Sequence, residues 1–288
     1  LRQAADIVIE GGAMASLAGP TGDVPWWSFT KTVIAAAALA LVRDGRLALD
    51  TTLDGRPYTL RQLLQHRAGV ADYGPLAAYH DAVAREDDAW PATDLLARTN
   101  AEQLIYRPGE GWAYSNIGYL FVRRLIEQAT GQDLGAALAA LVLRPLGIEG
   151  ARLAVRREDL ASVTMGQNHA YDPRWVYHGL LVGPLADAAW LLHRLMTGPF
   201  LPAELKRAML ARHPLDVPIV GRPWTTPGYG LGLMTGGVTG GISIAGHTGG
   251  GPGTVVAIYH LLSASPPRTT AAFSPGENQG QVEDRCLG

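Results

Sequence analysis

Hydrophobic and polar positions divide the chain into three textures. Residues 6–10 (DIVIE) read as a β-strand, with Gly11-Gly12 as its turn. Residues 28–44 read as one helix, rich in alanine, free of charge between Thr32 and Val42 and stopped by Gly45. A helix that is apolar on every side belongs in the interior. From about residue 59 to 212 the patterns are mostly helical, over 60–65, 94–99, 117–130, 135–143, 185–196 and 203–211. Pro108-Gly109, Gly131, Pro145 and Gly198-Pro199 punctuate them. Beyond residue 221 the texture changes, since 13 of the 33 residues from 221 to 253 are glycine. Short β-like runs follow at 229–235, 242–245, 254–263 and 269–273, with hairpin signals at Gly236-Gly237 and Gly240-Gly241. These patterns predict an α/β protein of the α+β type. An antiparallel sheet with flanking helices is drawn from residues 1–58 and 213–288, and a mostly helical lobe from 59–212 is inserted between. Alternating βαβ units are absent, which argues against a doubly wound parallel sheet.

Composition narrows the function. The net charge of −2 and pI of about 6.5 give no attraction for nucleic acid or an anionic membrane surface. The longest apolar run, residues 33–42, is half of the roughly 20 residues a membrane-spanning helix needs. Cys286 is the single cysteine, so no internal disulfide forms. The first residue is leucine and no signal peptide is visible. A cleaved one would leave the same sequence, so the compartment stays open between cytoplasm and periplasm or exterior. The histidines show no H-x-H, H-x-x-H or H-E-x-x-H spacing, and neither metal nor cofactor is expected. Of 24 basic residues, 22 are arginine, and the two lysines are Lys31 and Lys206. Lys206 sits on a polar helical stretch, and Lys206→Arg is expected to leave rate and stability nearly unchanged.

Three short motifs carry chemistry. Ser28-Phe29-Thr30-Lys31 is an S-x-x-K at the head of the apolar helix, where residues three apart share a face. A desolvated lysine gives up its proton and can serve as a base, whereas arginine cannot deprotonate. A helix-capping serine beside a solvated lysine would show the same four letters. Tyr114-Ser115-Asn116 follows the turn at Arg107-Pro108-Gly109-Glu110 and opens the next helix. A phenol there can relay a proton and an amide can bind a carbonyl; capping is the plainer role for Asn116. Gly246-His247-Thr248-Gly249-Gly250-Gly251 lies in the glycine-rich region, where bare backbone at a strand edge admits a ligand; a plain hairpin would share that composition.

In this order the three motifs resemble the serine β-lactamase and penicillin-binding protein superfamily. The tyrosine form resembles its class C-like branch of D-Ala-D-Ala carboxypeptidases, D-aminopeptidases and family VIII esterases. The flanks are similar too: residues 63–70 (LLQHRAGV), Pro108-Gly109-Glu110 before Tyr114, Gly179-Leu180-Leu181-Val182 with Asp187, and Tyr229-Gly230-Leu231-Gly232. The resemblance implies a β-lactamase/transpeptidase-like fold and an acyl-serine mechanism without a cofactor. Ser28 is then the nucleophile, and Lys31 and Tyr114 share the general acid and base work. Asn116, His247, Thr248, Gly249 and Gly250 bind substrate, with the N–H groups of Ser28 and Gly250 as the oxyanion hole. Expected substrates are small esters or D-amino-acid peptides and amides. The alternatives are a β-lactamase proper and a non-catalytic penicillin-binding-like protein. Partners other than small ester, peptide or lactam substrates are not implied, and the oligomeric state is open.

Several positions depart from the family pattern. His247 stands where true β-lactamases carry lysine, and a mostly neutral imidazole holds a substrate carboxylate less well. Trp26 and Trp27 replace small or polar residues; they either pack under the sheet or shape an apolar acyl pocket. Gly183-Pro184 stands where Ser-Thr is usual. His66 is expected to make a local structural hydrogen bond. Asp72 and Tyr73 are candidates for the cleft wall, and Asp87-Asp88 and residues 156–159 (RRED) for solvated surface.

Overall fold

The computed structural model describes residues 4–166, 170–216, 219–276 and 278–288. In chain order its strands are β1 (Ala5–Glu10), β2 (Ala13–Ala18), β3 (Asp23–Pro25), β4 (Arg152–Ala154), β5 (Leu180–Pro184) and β6 (His213–Pro214). They continue with β7 (Trp224–Thr226), β8 (Gly228–Tyr229), β9 (Met234–Val238), β10 (Ile242–Gly251), β11 (Thr254–Leu261) and β12 (Arg268–Pro275). The α-helices are α1 (Thr30–Arg43), α2 (Leu60–Leu64), α3 (Ala77–Ala84), α4 (Ala92–Arg98), α5 (Asn116–Thr130), α6 (Leu134–Leu138), α7 (Leu185–Thr197), α8 (Ala203–Leu210) and α9 (Gln279–Leu287).

Nine strands form one antiparallel sheet in the order β2-β1-β12-β11-β10-β9-β8-β6, with β7 also on β9. The two ends of the chain meet in it, with Ala5 opposite Phe273 and Ile9 opposite Thr269. Side-chain alternation splits the central strands between two apolar layers. Val256 and Ile258 of β11 join the main core, and α7 packs against β1, β11 and β12 on that side. Val255, Ala257 and Tyr259 turn to the opposite face, where Val282 and Cys286 of α9 cover them. A separate three-stranded sheet, β3-β5-β4, holds the backbone just ahead of Ser28 against the segment after Gly179.

Helix α1 is interior as its composition requires: residues 30–41 are all buried, and α5 and the turn at Ala139–Leu143 pack on it. Its C-terminus is closed by Gly45 at φ 70°, a left-handed conformation that glycine adopts without strain. Thr59 and Gln62 form a reciprocal capping box that starts α2.

The observed elements differ from the sequence reading at several points. The helix read over 28–44 begins with a 3-10 turn, Trp27–Phe29, before α1. The helix read over 135–143 is α6 followed by one wide π turn. The run 229–235 is two strands broken at Gly232 (φ 74°), where a Cβ would come within 2.4 Å of Ala35 on α1. The run 242–245 continues as strand to Gly251, because the glycines there are extended sheet residues. Helix α7 lies within the 59–212 stretch but belongs spatially to the sheet layer.

Candidate active site

The 3-10 turn places Ser28 at the mouth of α1, with Lys31 one turn inward. Trp27 has a left-handed φ of 41°, unusual for a bulky residue and a mark of strain held by its surroundings. Those surroundings are specific. The Trp27 indole N–H donates to Thr254 Oγ1 at 2.9 Å, and the ring lies edge-on to Tyr171. Strand β10 passes directly over the turn. A Cβ on Gly249 would stand 2.6 Å from the Ser28 amide nitrogen, and one on Gly251 would stand 2.4 Å from the Trp27 ring. Glycine is therefore required for this approach. From Ile244 to Gly246, β10 is paired on both sides, to β9 and β11; from His247 to Gly251 it is paired only to β11. This half of the strand lies against the Ser28 turn, and β9 no longer covers its other edge.

Lys31 is fully buried, and its Nζ has three neighbours: Ser28 Oγ at 3.3 Å, Asn116 Oδ1 at 2.7 Å and His178 Nε2 at 3.2 Å. Burial brings its pKa down from 10.5 to about 7, against the opposing pull of the Asp72 carboxylate. The Tyr114 phenol moves the other way. Burial raises its pKa, and the neighbouring Ser28 hydroxyl offsets part of the rise. The Lys31 amine stands 4.9 Å from the Tyr114 ring centre.

The loop carrying Tyr114 is fixed by its neighbours. Ser115, not Asn116, caps α5: its Oγ accepts from Gly118 N at 2.9 Å and donates to Ala71 O at 2.8 Å. Asn116 is thereby free to face Lys31. Asp72 holds it there, accepting from Asn116 N at 2.8 Å and from Asn116 Nδ2 at 3.2 Å. His66 makes the local bond expected of it, accepting from Ser115 N at 3.1 Å through Nδ1.

On the opposite wall, His247 donates from Nδ1 to Thr248 O at 2.7 Å and accepts at Nε2 from the Tyr229 hydroxyl at 2.9 Å. Burial, with Lys31 nearby, lowers its pKa to about 3, so it is neutral at physiological pH. Beneath it Glu283, wholly buried, accepts from Thr248 Oγ1 at 2.5 Å, Tyr259 OH at 2.7 Å and Arg222 Nε at 2.6 Å. The Thr248 hydrogen is thus directed away from the cleft, and its lone pairs are what it offers there.

These groups surround a cavity of about 390 Å³. Ser28, Tyr114, Asn116, His247, Thr248 and Gly250 open onto it, while Lys31 and Gly249 lie behind its wall. Much of the remaining lining is aromatic or aliphatic, including Trp27, Tyr73, Trp112, Tyr171 and Trp224. The two tryptophans divide their roles. Trp26 packs in the core and donates to Gly183 O at 3.2 Å, whereas Trp27 both packs and lines the cavity. Sequence reasoning missed His178, Arg222 and Glu283, and did not assign Asp72 its hold on Asn116. Lys206 is also other than expected: it donates to Met196 O at 2.9 Å and Gly198 O at 2.8 Å, closing the C-terminus of α7. Among the described residues no group of three or more His, Cys, Asp or Glu is placed to hold a metal ion, and no helix is long and apolar enough to cross a membrane.

Sheet, helices and cleft define the β-lactamase/transpeptidase fold class, and solved structures agree. A D-stereospecific amidohydrolase from Streptomyces superposes with a TM-score of 0.78 at 22% identity, covering 97% of this chain and 91% of that one. The D-amino acid amidase from Ochrobactrum anthropi gives 0.79 at 20% identity, covering 96% and 85%. The Beta-lactamase family model matches residues 23–260, and the chain belongs to that family. Esterase EstB of Burkholderia gladioli is 33% identical over 143 residues, 42% of this chain and 36% of the esterase. A penicillin-binding protein of Bacillus subtilis is 31% identical over 140 residues, 45% of this chain and 30% of that protein. A D-aminopeptidase of Brucella abortus is 34% identical over 114 residues, 38% of this chain and 21% of the peptidase. The matched stretches thus span about a third or less of these relatives' length.

Proposed function

We propose that the chain is a serine hydrolase that cleaves small carboxylic esters or amides through an acyl ester on Ser28. The observation that carries this reading is the buried Lys31 amine, 3.3 Å from Ser28 Oγ with a pKa near 7. At neutral pH about half the molecules hold a free amine there. Lys31 takes the hydroxyl proton as Ser28 Oγ bonds to the substrate carbonyl carbon. The backbone N–H groups of Ser28 and Gly250 face the developing oxyanion. Tyr114, kept protonated by burial, gives its proton to the leaving alkoxide or amine and recovers one from the Lys31 ammonium. Water then attacks the acyl ester, its proton passing to the free amine, and Ser28 leaves as the hydroxyl. Asn116 retains one amide hydrogen for the substrate carbonyl, and Thr248 and Gly250 line the facing wall.

The cavity favours uncharged substrates with an apolar acyl group. Among its described lining residues the one full charge is Arg222, and Glu283 neutralises it. Neutral His247 supplies no fixed cation for the carboxylate of a β-lactam. Retention of Ser28, Lys31 and Tyr114 favours catalysis over a binding role alone. The test is a panel of p-nitrophenyl esters, D-amino-acid anilides and nitrocefin, with Ser28→Ala as control. Ester kcat/KM is expected to exceed that for nitrocefin by at least about tenfold, or roughly 1.4 kcal/mol in barrier. Turnover surviving Ser28→Ala refutes the acyl-serine reading; nitrocefin outpacing short-chain esters refutes the substrate preference.

A further inference from the structure

His178 lies in the loop just before β5, outside all three motifs. The residue is 2% exposed, and its Nε2 stands 3.2 Å from Lys31 Nζ. Its other nitrogen, Nδ1, is buried without a hydrogen-bond partner. Burial, with Lys31 and His247 close by, holds the imidazole pKa well below its ordinary value, so the ring is neutral and has one accepting nitrogen.

The arithmetic of the amine decides which nitrogen that is. A neutral lysine amine has two hydrogens and one lone pair. Asn116 Oδ1, at 2.7 Å, can only accept, and its orientation is fixed because Asn116 Nδ2 donates to Asp72. If His178 Nε2 also accepts, both hydrogens are engaged and the lone pair is left for the Ser28 hydroxyl at 3.3 Å. If Nε2 carried the hydrogen instead, it would occupy the lone pair, and Lys31 could not receive the serine proton. Once the proton has moved, the ammonium has three hydrogens for the same three acceptors, so nothing need rearrange.

We propose that His178, as its Nδ1–H tautomer, is a positioning residue: with Asn116 it engages both amine hydrogens of Lys31 and so aims the lone pair at Ser28. The inference rests on the reading of Lys31 as the base that activates Ser28. It also assigns a function to a position that the three motifs leave out.

Two measurements test it. Nitrogen-15 NMR of the histidine side chains, with the His178 signals identified by their loss in His178→Gln, reads the tautomer directly. A protonated Nδ1 and a bare Nε2 are expected, and an Nε2–H tautomer overturns the proposal. The second measurement is the rate of Ser28 labelling by a fluorophosphonate, alongside ester kcat/KM. His178→Leu keeps most of the volume and removes the acceptor; His178→Gln keeps an acceptor. The leucine variant should slow both rates about tenfold or more, and the glutamine variant should stay within about threefold of the parent, the scale expected for aim rather than bulk. Equal losses in both variants, or a folded leucine variant with parental rates, overturn it. If His178→Leu does not fold, the tautomer and the glutamine variant still decide. A parent protein that is not labelled at Ser28 at all would sink the serine-hydrolase reading itself, which is a separate outcome.

Discussion

Lys31→Arg separates a lysine that moves a proton from one that only supplies charge. The structure sets the size of the effect. Lys31 is wholly buried, its pKa is about 7, and its amine lies 3.3 Å from Ser28 Oγ. If the free amine is the active form, kcat/KM follows its population: about half at pH 7, about a tenth at pH 6 and about a hundredth at pH 5. Activity is therefore lost as pH falls through about 7. A guanidinium stays protonated throughout this range. Lys31→Arg should lower kcat/KM by at least about a hundredfold, the lower end for losing a general base, and abolish the limb near pH 7. The assay is p-nitrophenyl ester hydrolysis under kcat/KM conditions from acid to neutral pH, paired with Ser28 labelling. Circular dichroism and Tm check that the larger head group has been accommodated. Lys206 cannot serve as a silent control, because it caps α7; the exposed Arg207, one residue on, can, as Arg207→Lys. A folded Lys31→Arg enzyme within about threefold of the parent, with an unchanged pH profile, would refute the role given to the amine.

Three further substitutions bear on the same arrangement. Asp72→Asn removes the carboxylate that raises the Lys31 pKa, so the acid limb of kcat/KM should move to lower pH; a limb that stays or rises contradicts the coupling. Gly249→Ala places a Cβ 2.6 Å from the Ser28 nitrogen and should cost at least about tenfold in kcat/KM, with a lower Tm, because the Ser28 turn must shift. Glu283→Ala leaves Arg222 charged and 16% exposed without its partner, and urea denaturation should show a loss of about 3–5 kcal/mol.

What could be read from the sequence, and what could not, follows from how far each signal extends along the chain. Helix α1 was legible because an uncharged stretch of that length has only one place to go, and S-x-x-K at its head is a local spacing. The glycine-rich motif was legible as bare backbone, though not as strand, because glycine weakens a β pattern at the very point where β10 needs it to pass over Ser28. Helix α9 escaped because it is polar: three of its four buried residues, Val282, Glu283 and Cys286, lie among Asp284, Arg285 and Gln281. Strand β2 escaped because every residue in it is exposed, which leaves no alternation to read. The Arg222–Glu283 pair spans 61 residues and the Lys31–His178 contact 147, and a lone histidine in Tyr-His-Gly-Leu carries no pattern. The cap made by Lys206 was not legible because the carbonyls it closes belong to a different helix.

The same burial that makes Lys31 useful sets a cost on the fold. The drop from 10.5 to about 7 corresponds to about 5 kcal/mol of disfavoured charge in the folded protein. Because the folded value is the lower one, the unfolded chain holds more protons between about pH 7 and 10.5, and folding grows more favourable as pH rises through that window. Below about 7 the full penalty is present. Lys31→Met keeps much of the side-chain volume and has no proton to lose, so it removes this linkage. It also strands Asn116 Oδ1 and His178 Nε2, a loss of about 1–3 kcal/mol each that does not depend on pH in the same way. The informative quantity is therefore the difference between the two proteins as pH changes. Other titrating groups are common to both and cancel. From pH 7 to 9 the parent should gain stability relative to Lys31→Met by up to about 1.4 kcal/mol per pH unit, read from urea denaturation at each pH. Parallel curves would mean that Lys31 keeps its proton in the folded state. The base would then have to be sought at Tyr114, with Lys31 left to hold charge beside it.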